Sequence, residues 1–179
     1  KTETAKVADH WVPIKPGTDT ALLVAILKSV LDAKPILRPG LAEVCDQNLD
    51  PVREAFAQFD IAELSAFCGV SEADIAQMAA PFIGDEPAAI YGRMGVSVCE
   101  FGSFNHWLVQ LINLASGNLD REGGTMFPKP LFDLVGLNGP GGVSTVETSR
   151  GTLPSVMGET PMVAFADEML REDEGRIKV

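Results

Sequence analysis

Between Thr18 and Leu31, apolar side chains fall at Leu22, Leu23, Ile26, Leu27, Val30 and Leu31, the spacing of a helix. Pro16-Gly17 turns the chain into it, Thr18 or Asp19 stands where it begins, and Pro35 ends it, with Pro39-Gly40 in the loop beyond. Shorter helices follow. Asp50-Pro51 opens one that runs to about Phe59, and Asp60 opens another, through Leu64 and Phe67 to a stop at Gly69. Ser71 with Asp74 three positions later resembles a capping box, ahead of a face made by Ile75, Met78 and Ala79; Pro81 and Gly84 close that helix. The apolar run 88–93 after Pro87 predicts a buried strand. Gly102 then leads into a helix bearing Trp107, Leu108, Leu111, Ile112 and Ala115, which Ser116-Gly117-Asn118 stops. From 120 to 158 glycines interrupt the chain and no period is sustained. A last helix is expected from about Pro161 to Leu170, carrying Val163, Phe165, Ala166 and Met169.

With 179 residues, 46% of them apolar and 22% charged, the chain has the material for one domain with a core, and disorder is excluded as its main state. We therefore expect a single domain over 1–179, with 128–158 as a long irregular segment inside it. Such segments in compact domains are functional or disordered. No apolar run approaches the roughly 18 residues of a membrane span, and Lys1-Thr-Glu-Thr-Ala-Lys6 has no apolar stretch behind its positive charges. A net charge of −11 argues against nucleic acid and anionic membranes as partners. Cys45, Cys68 and Cys99, odd in number and widely spaced, suit a reducing, cytoplasmic compartment. Both ends read as cut. Arg176-Ile-Lys-Val179 reads as the start of a strand, and the first residue is not methionine.

Four places carry candidate chemistry. Cys99 and His106 invite a nucleophile–base reading, but no third, orienting residue stands near them, and a buried thiol beside an unrelated imidazole accounts for them as well. The two histidines and three cysteines have no zinc-site spacing. In Lys15-Pro-Gly-Thr-Asp19, Gly17 lets backbone approach a ligand and the new helix offers unpaired N–H groups. Asp19 there either caps the helix or accepts two hydrogen bonds from a planar N–H/NH₂ edge such as guanine's. The loop 95–102 lies after the expected strand, where doubly wound folds bind ligands, or it is a plain connection. Asn113, within an apolar helix, demands partners: it ties down a neighbouring loop or contacts a ligand.

Three stretches resemble a known family. The run from Thr2 to Leu23, containing Ile14-Lys-Pro-Gly-Thr-Asp19, is similar to the molybdopterin oxidoreductases of the dimethyl sulfoxide reductase type. So are Tyr91-Gly-Arg-Met-Gly95 and Leu111-Ile-Asn-Leu-Ala-Ser-Gly-Asn-Leu-Asp-Arg-Glu-Gly-Gly124. The last resembles the family's L-x-T-G-N-x-x-x-x-G-G pattern, with Ser116 where Thr is usual. Leu153-Pro to Glu159-Thr-Pro161 looks like a dehydrogenase-like subgroup.

The resemblance implies a bis(molybdopterin guanine dinucleotide) cofactor with molybdenum or tungsten. It maps the guanine end of one dinucleotide to Gly17, Thr18 and Asp19, and the pterin approach to Arg93, Met94, Gly95 and Val96. It implies that the metal ligand and an iron–sulfur segment lie upstream of this region, so no catalytic or metal-ligating residue is assigned here and Cys99 is not promoted. The expected fold is a three-layer α/β/α unit with a short parallel sheet, helix-rich and truncated at both ends, with 88–93 as a central strand. The expected function is a cofactor-binding fragment of a molybdenum- or tungsten-dependent oxidoreductase, without turnover alone. Its partners are the remaining domains of the parent chain. The alternative is a helix-rich interaction module without cofactor, in which Asp19 is only a cap; a hydrolase built on Cys99 and His106 is a distant third.

Overall fold

The computed structural model describes residues 2–33, 49–126, 143–156, 159 and 161–171. The chain divides into two compact units, Lys1–Phe127 and Pro128–Val179. Cys45 and the Pro35 and Pro39-Gly40 breaks lie outside the described residues.

Among the described residues of the first unit the helices are α1 (Glu3–Val7), α2 (Asp19–Ala33), α3 (Asp50–Ala57), α4 (Ile61–Cys68), α5 (Glu72–Ile83), α6 (Met94–Ser97) and α7 (Gly102–Ala115). Helix α2 is the centre. Residues 21–27 are apolar without a break, so this stretch has no polar side to turn to water and must be covered all round, whereas Lys28 and Asp32 pair at the surface of the last turns. It packs against α3, α4, α5 and α7. Its Leu23, Val24, Ile26, Leu27, Val30 and Leu31 meet Leu108, Val109, Leu111 and Ile112 of α7, with Phe56, Ala79 and Phe82 completing the cluster. The opposite side, Ala21 and Ala25, meets Cys68, Val70 and Ile75 in a smaller one. Each fully buried Leu or Ile there contributes about 1.5–3 kcal/mol relative to exposure.

The ends of these helices follow the sequence closely. Asp60 accepts from the Glu63 amide at 3.0 Å, and Ser71 from the Asp74 amide at 3.1 Å. Gly69 ends α4 in the left-handed region, at φ +75°. Pro81 does not end α5: the helix runs on to Ile83. A proline in the last turn costs one backbone hydrogen bond, and Phe82 beyond it is buried in the core.

The expected three-layer α/β/α sheet is absent among the described residues, and this corrects the fold class. The sheet present is a two-stranded antiparallel hairpin in the second unit. Residues 88–93 alternate as a strand would, with 88, 90 and 92 turned inward and 89, 91 and 93 exposed, but among the described residues no strand adjoins them. Side-chain amides take a neighbour's place. Asn113 Oδ1 accepts from the Ile90 amide and its Nδ2 donates to the Ile90 carbonyl, both at 3.0 Å, while Asn118 Oδ1 accepts from the Ala88 amide at 3.2 Å. The burial that a sheet was expected to provide is provided by α2. Asn113 thus ties down a neighbouring segment, the structural one of its two readings.

The same end of α7 explains the glycine pattern that follows. Gly117 takes φ +71°, the Ser116 hydroxyl donates to the Ile112 carbonyl at 2.8 Å, and Asn118 Nδ2 donates to Ser116 Oγ at 3.0 Å. A Cβ on Gly124 would lie 2.2 Å from the Asn118 carbonyl oxygen, so only glycine lets the returning chain pass.

In the second unit, β1 (Val143–Thr148) pairs with β2 (Gly151–Val156), from Val143 opposite Val156 to Thr148 opposite Gly151. The hairpin occupies part of the stretch expected to be irregular. Pro154 is tolerated because both strands of a two-stranded sheet are edges. A 3₁₀ turn, Met162–Ala164, leads into α8 (Phe165–Leu170). Here Val163, Phe165 and Leu170 are exposed, and the buried residues are Ala164 and Glu168. Glu168 accepts from the Ser149 amide at 2.6 Å and from Arg171 at 2.8 Å, which joins α8 to the hairpin turn. These donors, Arg171 first, pull its carboxyl down from 4.5 to about 2.

Candidate functional site

The segment leading to Gly17 is held at several points before it turns into α2. His10 Nε2 lies 3.1 Å from Asp74 Oδ1, and Val12 and Ile14 pack on the smaller apolar cluster. The Ser71 hydroxyl, with His10 second among its polar partners, holds the Asp74 carboxyl below its ordinary value. Lys15 makes the firmest attachment. Its amide donates to the Cys68 carbonyl at 3.0 Å, and its ammonium donates to the carbonyls of Ala66 and Phe67 at 3.0 and 3.3 Å. A cation there satisfies orphan carbonyls at the negative end of α4. Its methylenes lie against Gly69, where an added Cβ would come within 3.0 Å of Lys15 Cε.

From that anchor the chain turns through Pro16 and Gly17. Gly17 has φ +79° with nothing within 4 Å of an added Cβ, so glycine is needed for conformation rather than for room. The Thr18 hydroxyl donates back to the Lys15 carbonyl at 2.7 Å and locks the turn. The Thr18 carbonyl accepts from Ala21 at 3.0 Å, which makes Thr18 the capping position and Asp19 the first helical residue. Among the described residues the half-buried Asp19 carboxylate has no hydrogen-bond partner, and the amides of Asp19 and Thr20 have no acceptor. The result is a carboxylate beside two free N–H groups at the positive end of a helix 15 residues long.

Arg93, Met94, Gly95 and Val96 form the start of α6. The Arg93 carbonyl accepts from the Val96 amide at 2.9 Å, and its guanidinium is exposed without a partner among the described residues. Met94 is 70% exposed, and the space around Gly95 is open. Val96 differs: its side chain packs inward on the main cluster and on Gly92, so it can offer a ligand only backbone. Gly102, at the start of α7, is fixed by backbone crowding, since a Cβ there would lie 1.9 Å from the Ser97 carbonyl oxygen.

Sequence reasoning missed the residues that join these two places. Asn105 of α7, with no exposure, accepts from Thr20 Oγ1 at 2.6 Å and donates to the Val96 carbonyl at 3.2 Å. Its position three and four residues before Leu108 and Val109, on the buried face, was the available signal. Cys99 and His106 are not paired. Cys99 Sγ lies 3.0 Å from Asn105 Nδ2 and 3.2 Å from the Val96 carbonyl, whereas His106 Nε2 lies 2.6 Å from Ser97 Oγ. Among the described residues no three His, Cys, Asp or Glu side chains converge to hold a metal ion, and no helix is long and apolar enough to cross a membrane.

No family model and no solved structure matches the chain. Curated proteins do. A protein of Staphylococcus aureus (strain MRSA252) named as a formate dehydrogenase is 27% identical over 128 residues, which is 72% of this chain and 13% of that protein. Its counterpart in strain USA300 matches with the same identity and coverage. The assimilatory nitrate reductase of Haloferax mediterranei is 34% identical over 119 residues, 66% of this chain and 16% of that protein. The chain spans about one seventh of the length of these relatives. It is therefore similar, over some two thirds of its residues, to part of much longer proteins that are named for oxidoreductase reactions.

Proposed function

We propose that this chain is a cofactor-binding part of a molybdenum- or tungsten-dependent oxidoreductase, and that Gly17, Thr18 and Asp19 hold the guanine end of a molybdopterin guanine dinucleotide. The observation that carries the reading is the unpartnered, half-buried Asp19 carboxylate at the start of α2. A guanine edge presents one ring N–H and one amino group side by side, and a carboxylate is the side chain that accepts both. The free amides of Asp19 and Thr20 suit an electronegative atom of the same ligand. The oxidoreductase names of the relatives support the class of reaction.

Within this reading Gly17 supplies the turn, Thr18 locks it, Asp19 selects the base, and Arg93, Met94 and Gly95 border the pterin, with Val96 contributing backbone. The exposed Arg93 guanidinium suits the phosphate or pterin carbonyl groups of such a ligand. When bound, the cofactor supplies the redox-active metal. The residues here bind and orient; the metal ligand and an iron–sulfur relay belong to other parts of a longer parent, which we place in a reducing, cytoplasmic compartment. No turnover is expected from the 179 residues alone.

Calorimetric titration of guanosine diphosphate, with an adenosine nucleotide as control, tests this on the chain and on Asp19→Asn. Hydrogen bonds to a charged group contribute about 1.5–3 kcal/mol, so Asp19→Asn should weaken guanosine binding roughly 10- to 150-fold. Equal binding of both nucleotides, unchanged in Asp19→Asn, would reduce Asp19 to a helix-terminus charge. The second reading, an interaction module without cofactor, is favoured by one observation. Phe104, Trp107, Phe56 and Phe59 form a row of ring contacts at 5.4, 6.4 and 5.7 Å, with three of the four exposed. It stands if neither nucleotide binds.

A further inference from the structure

We propose that Asn105 is the positioning residue that ties the turn at Gly17–Thr20 to the loop at Arg93–Cys99, so that both walls of the candidate site move as one body. What the site binds rests on the cofactor reading above; the link itself does not.

Asn105 lies in the first turn of α7 with no exposure, and its amide is divided between two other elements. On one side Oδ1 accepts from the Thr20 hydroxyl at 2.6 Å, in the first turn of α2. On the other, Nδ2 donates to the Val96 carbonyl at 3.2 Å and lies 3.0 Å from Cys99 Sγ. The thiol donates in turn to that same carbonyl, at 3.2 Å. Such a link requires a neutral side chain with an acceptor at one corner and two donors at the other, and an amide is that group. An aliphatic residue would fill the space without fixing how far the α2 turn stands from the loop. A fully satisfied buried network of this kind specifies one arrangement of its neighbours.

Cys99 is half-buried and reports on the link directly. It borders a cleft of about 340 Å³ at the start of α7, through which a small alkylating reagent reaches it. Thr20 is the half-buried partner, so changing it cuts the link without opening the core. The experiment measures alkylation of Cys99 by iodoacetamide, in which the thiolate displaces iodide, followed residue by residue by mass spectrometry. Buried Cys68 is the slow internal reference, and thermal melts confirm that each variant is folded.

Without nucleotide, Thr20→Val should raise the Cys99 rate about three- to ten-fold, the effect of losing one net hydrogen bond. Thr20→Ser, which keeps the hydroxyl, should hold the wild-type rate. Guanosine diphosphate should slow Cys99 in wild type and Thr20→Ser, and leave it unchanged in Thr20→Val while still binding by calorimetry. Equal nucleotide-free rates in wild type and Thr20→Val overturn the link, as does a Thr20→Ser rate matching that of Thr20→Val. Failure of the nucleotide to bind wild type overturns the cofactor reading instead, and the nucleotide-free rates still decide the link.

Discussion

Replacing Asn113 by Leu tests how the 88–93 segment is held. Leu keeps the branched skeleton of Asn, with methyl groups in place of the amide oxygen and nitrogen, so the change falls first on hydrogen bonding, and crowding by the larger methyls beside Ile112 and Val109 adds to the loss. Asn113 has no exposure, and it serves both the N–H and the C=O of Ile90 at 3.0 Å, besides donating to the Val109 carbonyl. A net hydrogen bond is worth about 1 kcal/mol, and a buried group left without a partner costs about 1–3. Ile90 is half-buried, so water recovers part of that loss, and the sum is about 2–3 kcal/mol. For a unit of this size, roughly 3–5 °C per kcal/mol, the melting temperature should fall by about 6–15 °C. Trp107 fluorescence follows the melt, and hydrogen exchange reads Ile90 itself, whose amide should lose its protection before the α2 core does. Gln110→Ala, on the exposed side of the same helix, is the control and should stay within about 0.5 kcal/mol. A melting temperature within 2 °C (about half a kcal/mol) of wild type, with Ile90 still protected, would refute the argument that one side-chain amide does the work of a strand neighbour.

Two further outcomes follow from the structure. Gly102→Ala places a methyl 1.9 Å from the Ser97 carbonyl and should destabilise by about 2 kcal/mol or more in urea unfolding, whereas Gly95→Ala, in open space within α6, should be neutral or stabilising by up to about 1 kcal/mol. Glu168, with its carboxyl near 2 folded against 4.5 unfolded, favours the folded second unit fully above about pH 4.5 and loses that contribution as pH falls through about 2. Circular-dichroism melts of Glu168→Gln should therefore lie below wild type at neutral pH and converge with it at the acid end; a constant gap down to pH 2 would contradict the assignment.

What the sequence disclosed was local. Asp60 and Ser71 cap the helices that their positions announce, and Gly69 and Gly117 stop theirs in the left-handed region, because each of these signals acts within one turn. The sheet was misjudged for a non-local reason. Burial of 88, 90 and 92 is the period of a strand, but period says nothing of what satisfies the backbone, and here asparagines 23 and 30 residues later do so. The unbroken apolar run 21–27 in α2 was the counter-signal, pointing to a helix covered on every side. The hairpin at 143–156 was hidden because glycine spacing was taken as irregularity, and because a two-stranded ribbon with a proline in it alternates weakly. At the candidate site, Gly17 and Asp19 were legible from turn and helix-start chemistry. Asn105 was not, since its partners Thr20, Val96 and Cys99 come together only on folding.

The enclosure of α2 also governs how this region can vary. Along its apolar stretch, 21–27, the helix offers almost no position where a substitution would leave the packing around it undisturbed. Freedom to diversify around its N-terminal end is therefore confined to the few residues from Lys15 to Thr20, where the helix begins, and to the exposed positions at 93–95. Within those few, Lys15, Gly17 and Thr18 are already committed to anchoring, turning and locking the chain. Variation at this end of the fold would be channelled toward Asp19 and the side chains at 93–95, while residues 21–27 of α2 drifted only among residues of similar shape.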